Sequence, residues 1–137
     1  MRTDYLGEVR RPGQTANPLF NFLGIRVVEI SKAEAVLELP LRPEFRQGAG
    51  VTAGGVIATL ADEAMAHAVL ANLAPGESTA TIEMNLRFLS PIKAGAVQAI
   101  ARVIKKGRKV TTVEAEVRDD SDRVLARAGA SFIILDK

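Results

Sequence analysis

The chain has 137 residues, 47% of them hydrophobic, which is enough for one domain with a real core. Charged residues make up 25% and balance to +2, too little for the basic field that a nucleic-acid partner requires. With no cysteine and a single histidine, His67, disulfides, thiolate nucleophiles, cysteine-ligated metals and clustered-histidine sites are all excluded. A Ser-His-Asp triad is open only through that one histidine.

The amino terminus lacks an apolar targeting segment, and no window is long and apolar enough to span a membrane, so the expectation is a cytoplasmic protein. Residues 1–17 are polar and carry Pro12 and Gly13, reading as an irregular arm, with a single domain over residues 18–137. Ile25 to Ile30 and Ala33 to Leu41 are β-like runs, in which Val36, Leu37, Leu39 and Leu41 surround Glu38 and suggest a hairpin.

A glycine-rich loop follows, Arg46-Gln-Gly-Ala-Gly-Val-Thr-Ala-Gly-Gly. Residues 56–71 then run free of Gly and Pro and are rich in alanine and leucine, the pattern of a helix. Val56, Ile57, Leu60, Ala61, Ala64, Met65, Ala68 and Val69 cover so much of its circumference that the helix must be enclosed. After Pro75-Gly76 come four long strands, Thr79 to Leu89, Ala96 to Lys105, Lys109 to Val117 and Val124 to Leu135. Period two in the first sets Ala80, Ile82, Met84, Leu86 and Phe88 on one side and Thr81, Glu83, Asn85 and Arg87 on the other. Gly107 and the Asp119-Asp120-Ser121-Asp122 run mark tight connections. Two strands, a helix and four strands predict an α+β domain in which a curved antiparallel sheet wraps around one central helix. One sheet around one helix leaves edges open, which points to a homodimer or larger homo-oligomer.

The unusual residue is Asp62, a carboxylate in the middle of an enclosed helix. Burying an ionised group costs several kcal/mol unless it is paired, so such groups are often functional, although a place on the helix's solvent edge beside Glu63 explains a lone Asp equally well. Eight residues earlier, Gly54-Gly55 stands at the helix amino terminus, where unpaired N–H groups and the dipole favour negative charge. A glycine pair also simply allows a tight loop-to-helix turn. Together, N–H donors and a carboxylate suit acyl transfer: the donors stabilise charge on a carbonyl while the carboxylate activates water or attacks. His67 lies five positions beyond Asp62, roughly 140° around the helix, and reads as a packed or surface residue.

Val51-Thr-Ala-Gly-Gly-Val-Ile-Ala-Thr-Leu-Ala-Asp-Glu-Ala resembles the signature loop and helix of PaaI-like hotdog acyl-CoA thioesterases. Asn21-Phe-Leu-Gly-Ile-Arg-Val-Val resembles the family's opening segment, and Thr81-Ile-Glu-Met-Asn-Leu-Arg-Phe-Leu-Ser-Pro-Ile-Lys-Ala-Gly its strand and Ser-Pro turn. The resemblance implies a hotdog fold and hydrolysis of an acyl-CoA or related acyl thioester, with no cofactor beyond the coenzyme A of the substrate. It implies Asp62 as catalytic carboxylate, the N–H of Gly54 as polariser of the thioester carbonyl, Gln47 as the amide beside it and Thr81 as the hydroxyl that helps hold water. It further implies a dimer in which Gln47 and Gly54 come from one subunit and Asp62 and Thr81 from the other. Gly55 follows Gly54 as a substrate contact. Lys105, Lys106, Arg108 and Lys109 fall at the turn that resembles the nucleotide end of the ligand site, an ordinary solvated turn being the other reading; Arg87 and Lys93 are weaker candidates. The family's His-Gly-Gly is here Ala53-Gly-Gly. That substitution keeps a non-catalytic acyl-CoA-binding module open as an alternative and ranks a histidine-dependent dehydratase last. Leu60, Phe20 and Phe22 are candidates for an acyl pocket, or for core packing.

Overall fold

The computed structural model describes residues 4–136. Helix α1 (Tyr5–Val9) and helix α2 (Pro18–Leu23) precede strands β1 (Arg26–Ile30) and β2 (Ala35–Pro40). A 3-10 turn (Pro43–Phe45) and the glycine loop lead into helix α3 (Gly54–Leu70), followed by β3 (Glu77–Phe88), β4 (Ala96–Lys106), β5 (Val110–Arg118) and β6 (Val124–Asp136). All neighbours pair antiparallel, in the order β1-β2-β4-β5-β6-β3, so β1 and β3 are the edges.

Helix α3 packs on the concave face of this sheet. Ile57, Leu60, Ala61, Ala64, Met65, Ala68 and Val69 are buried against Leu37, Leu39, Val97, Ala99, Val113, Val117 and Phe132. The fold is a hotdog, a single long helix held by a curved six-stranded antiparallel sheet. Alanines at 99, 101, 115, 126, 128 and 130 line much of the inner face, and their small side chains let the helix approach closely.

Three differences from the sequence expectation bear on the site. The amino-terminal arm is not irregular throughout, since Tyr5–Val9 form a helical turn, and Asn17 caps α2 by accepting the N–H of Phe20 at 3.3 Å. Helix α3 begins at Gly54 rather than Val56, so the glycine pair forms its first two positions. The third difference is in β3. Thr81 pairs with Phe132 and Glu83 with Ser131, which leaves Ile82 as an extra residue, a β-bulge that reverses the alternation. Strict period two sets Thr81 on the face opposite Met84, Leu86 and Phe88. With the bulge, Thr81 lies opposite inward-facing Phe132 and joins them on the helix side, while Ile82 is exposed.

Leu60 is fully buried under the sheet, two positions from Asp62 but facing the core. Leu60→Ala is expected to destabilise the fold by about 2–5 kcal/mol through lost apolar burial and the cavity left behind. Urea unfolding measures this; a cost below ~1 kcal/mol would mean that α3 is not the packing centre.

Candidate active site

The glycine loop is pinned from several sides. Gln47 N–H donates to Val51 O at 2.9 Å, Gly50 N–H to Gln47 O at 2.9 Å, Thr52 N–H to Ile92 O at 2.7 Å and Ala53 N–H to Phe45 O at 2.8 Å. Gly50 closes its tip at φ +85°, where only glycine is unstrained. Ala49 N–H donates to the side-chain Oε1 of Gln47 at 2.7 Å. A backbone N–H can only donate, so this bond fixes the amide orientation and leaves both Nε2 hydrogens free of partners among the described residues.

At the start of α3, Ala53 is the N-cap and makes no side-chain capping bond. The N–H groups of Gly54 and Gly55 have no acceptor among the described residues, as expected of the first helical positions. Gln47 and Gly54 line an open recess of about 430 Å³ with Val51, Thr52, Phe88, Leu89, Ser90, Pro91 and Ile92. The recess therefore has apolar walls and a few polar donors.

Asp62 is half-buried on the same helix. Thr81 Oγ1 donates to its Oδ1 at 3.1 Å, so helix and strand bring the carboxylate and hydroxyl together. The two donors are elsewhere: Gly54 and Asp62 are eight positions apart on the helix, about 12 Å along the axis. One chain thus holds a donor pair and a carboxylate–hydroxyl pair that do not face a common point.

The charged neighbours of Asp62 serve other contacts. Glu63 is turned toward the amino-terminal arm, and burial pushes its carboxyl pKa up, with the charge of Asp62 adding to the rise and the Asn17 amide opposing it. His67 is 2% exposed. Its Nδ1 lies 2.6 Å from Glu63 O, and a carbonyl only accepts, so Nδ1 carries the proton and Nε2 accepts from the Tyr5 hydroxyl at 2.9 Å. Tyr5 in turn accepts from Asn17 Nδ2 at 2.9 Å. Phe20 is buried with its ring centroid 5.1 Å from the imidazole, and Leu60 is in the core. Neither lines the recess that holds Gln47 and Gly54; Phe20 instead borders a separate groove between the amino-terminal arm and β1, and Phe22 is 74% exposed.

The basic turn divides. Lys106 pairs with Glu77 at 3.0 Å, joining the end of β4 to the start of β3. Glu77 also accepts from Ala74 N–H, and these two partners, the Ala74 bond foremost, lower its pKa. Lys105, Arg108 and Lys109 are exposed and pair with no carboxylate among the described residues. The turn lies at the Glu77 end of β3, four residues from Thr81 and a helix length from Gly54. Arg87 faces away from the helix, opposite Arg127, and Lys93 is exposed beyond the Ser-Pro turn. What the sequence reading missed is the far wall of the recess, Phe88, Leu89 and Ile92; the Ser90-Pro91 turn between them was the signal.

The architecture defines a class, and the chain belongs to it: the thioesterase superfamily, whose family model matches residues 49–126. Within it, a Saccharolobus solfataricus protein named as a candidate esterase is 32% identical over 120 residues, covering 88% of this chain and 85% of that one. The 1,4-dihydroxy-2-naphthoyl-CoA hydrolase of Listeria monocytogenes is 27% identical over 115 residues, covering 84% of this chain and 94% of the relative. The crystal structure of a phenylacetic acid degradation-related protein from Ralstonia eutropha, described as a candidate thioesterase, superposes with a TM-score of 0.84 at 26% identity, over 94% of this chain and 98% of that one. The chain is accordingly a hotdog enzyme of the thioesterase or esterase type. Among the described residues no helix is long and apolar enough to cross a membrane.

Burial lowers the His67 pKa, so the folded protein takes up a proton there less readily than the unfolded chain. Its contribution to stability is complete above the ordinary histidine value of about 6.5 and is lost as pH falls below it. Glu63, raised in the fold, has the opposite sign and gains stability as pH falls. The difference between wild type and His67→Gln isolates the histidine: the wild-type unfolding midpoint is expected to drop more steeply between roughly pH 6.5 and 5. Parallel curves for the two proteins would contradict a neutral, buried His67.

Proposed function

We propose that the protein hydrolyses acyl-CoA or related acyl thioesters to a free acid and a thiol, at a site completed by two copies of the chain. The observation that carries this reading is the division of one helix between two incomplete halves. Gly54 and Gln47 offer N–H donors at its start, and Asp62 with Thr81 offers a carboxylate and hydroxyl about 12 Å further along. The open edge of β3 supplies a way to join them. This twelve-residue strand pairs on one side only, with β6, and exposes Ile82 and Phe88. Antiparallel pairing of two such edges, centred near Met84 and Asn85, sets Thr81 of one copy against Phe88 and Gly54 of the other, and covers both edges.

In such a site the Gly54 N–H, with Gln47 Nε2 beside it, polarises the thioester carbonyl and stabilises the oxyanion formed on attack. Asp62 either removes a proton from the attacking water or attacks the carbonyl carbon itself, to be released from the resulting anhydride by water. Thr81 orients the carboxylate and the water. The thiolate leaves and is protonated. Water is the co-substrate, and coenzyme A enters only as part of the substrate. Gly55 adds a second helix-terminal donor. Lys105, Arg108 and Lys109 are free to meet the phosphates of coenzyme A, whereas Lys106 must first release Glu77. The Listeria relative's name, a hydrolase of a CoA thioester, supports this substrate class.

Ala53, which makes no side-chain bond at the helix start, favours one second reading, a hotdog module that binds acyl-CoA without turnover. Thiol release from a panel of acyl-CoAs distinguishes them, because binding alone raises the unfolding temperature and releases no thiol.

For the enzyme, Asp62→Asn is expected to lower kcat by roughly a hundredfold or more with the fold intact, since shape is kept and the base or nucleophile is lost. Near-normal turnover by a folded Asp62→Asn protein would end this mechanism. The shared site has a separate test. Gln47→Ala and Asp62→Ala homodimers are each impaired at both sites, but a heterodimer of the two concentrates both lesions in one site. Isolated with two affinity tags, that heterodimer is expected to recover toward roughly half the wild-type rate. A rate no higher than the mean of the two parents assigns the residues to a site within one chain.

A further inference from the structure

The ring of Phe88 stands against the side-chain position of Gly54, the residue whose N–H would polarise the carbonyl. A Cβ built on Gly54 would meet Phe88 Cζ at 3.0 Å and Cε2 at 3.2 Å, closer than ordinary van der Waals contact. No heavy atom fits between the ring and the helix at that point. Phe88 is on the helix side of β3, at its last position, and its partner across the ladder is Ala126, too small to hold the ring back. The ring leans over the first turn of α3 while remaining 50% exposed. Leu89, 56% exposed, continues the same wall, and Val51, Pro91 and Ile92 complete the recess that contains Gln47 and Gly54.

We infer that Phe88 is a specificity-determining residue that selects acyl groups unbranched at the carbon next to the thioester carbonyl. This rests on the thioesterase reading above. A carbonyl oxygen accepting from Gly54 N–H stands about 2.9 Å from that nitrogen. The acyl α-carbon is two bonds from this oxygen, close to the ring. A methylene or a planar carbon passes beside the ring, whereas a methyl branch directed toward it meets the obstacle that a side chain on Gly54 meets. The same contact explains why position 54 takes no side chain without moving Phe88.

The test compares acyl-CoAs that differ by an α-methyl branch: n-butyryl with isobutyryl, hexanoyl with 2-methylpentanoyl, and phenylacetyl with 2-phenylpropanoyl. Thiol release gives kcat/KM for wild type, Phe88→Leu and Phe88→Ala. Wild type is expected to favour the unbranched member by roughly tenfold or more in each pair it hydrolyses, and both variants to narrow that preference to about threefold or less. The ratio within a pair is independent of how much variant protein is folded, so a loss of stability does not obscure it. A wild type without preference, or variants that lose activity on both members equally and keep the wild-type ratio, would overturn the assignment. Absence of thiol release from every substrate in wild type is a different result: it removes the thioesterase reading, and this inference with it.

Discussion

Helix α3 has almost no face that water would accept, and the rest of the molecule is arranged around enclosing it. Ile57, Leu60, Met65 and Val69 bury large side chains, and the alanines between them permit close approach of the strands. Each such side chain contributes about 1.5–3 kcal/mol when removed from water, so a sheet curved around the helix is strongly favoured over a flat one beside it. The bulges at Val28, Ile82 and Ile104 help to bend the strands, and each exposes the extra residue instead of burying it.

Enclosure also dictates where polar chemistry can sit on the helix. Only its first turn and the margin not covered by the sheet remain accessible, and there the sequence places Gly54, Gly55 and Asp62. The first turn supplies donors because helix geometry leaves its N–H groups unpaired. The margin supplies a carboxylate because β3, as an edge strand, leaves it half open beside Thr81. A rigid helix keeps these positions a fixed distance apart, and the proposed shared site brings them together through a second copy.

On the other side of the helix, polar residues lock rather than react. Asn17, Tyr5, His67 and Glu63 form a connected chain from the amino-terminal arm to α3, with two hydrogen bonds orienting the imidazole and burial lowering its pKa against the opposing bond to Glu63 O. Asp62 and Glu63 are consecutive, yet the 100° turn between them directs one toward Thr81 and the other toward the arm.

The succession of two strands, one apolar helix and four strands, and the presence of a carboxylate, Asp62, within that helix were legible in the sequence, because hydrophobic periodicity and the absence of Gly and Pro are local properties. The likeness of the glycine loop to a thioesterase motif was legible too, since it occupies contiguous residues. Local pattern did not reveal the bulge at Ile82, because alternation continues through it unbroken in sequence while the pairing with Phe132 and Ser131 does not. That one extra residue decides that Thr81 faces Asp62. Nor did sequence place Phe88 over Gly54, 34 positions away, or assign Lys106 to Glu77 and Phe20 to His67. Those contacts depend on how far the sheet curves, which is set by the summed packing of β2 to β6 against the helix and by no single segment.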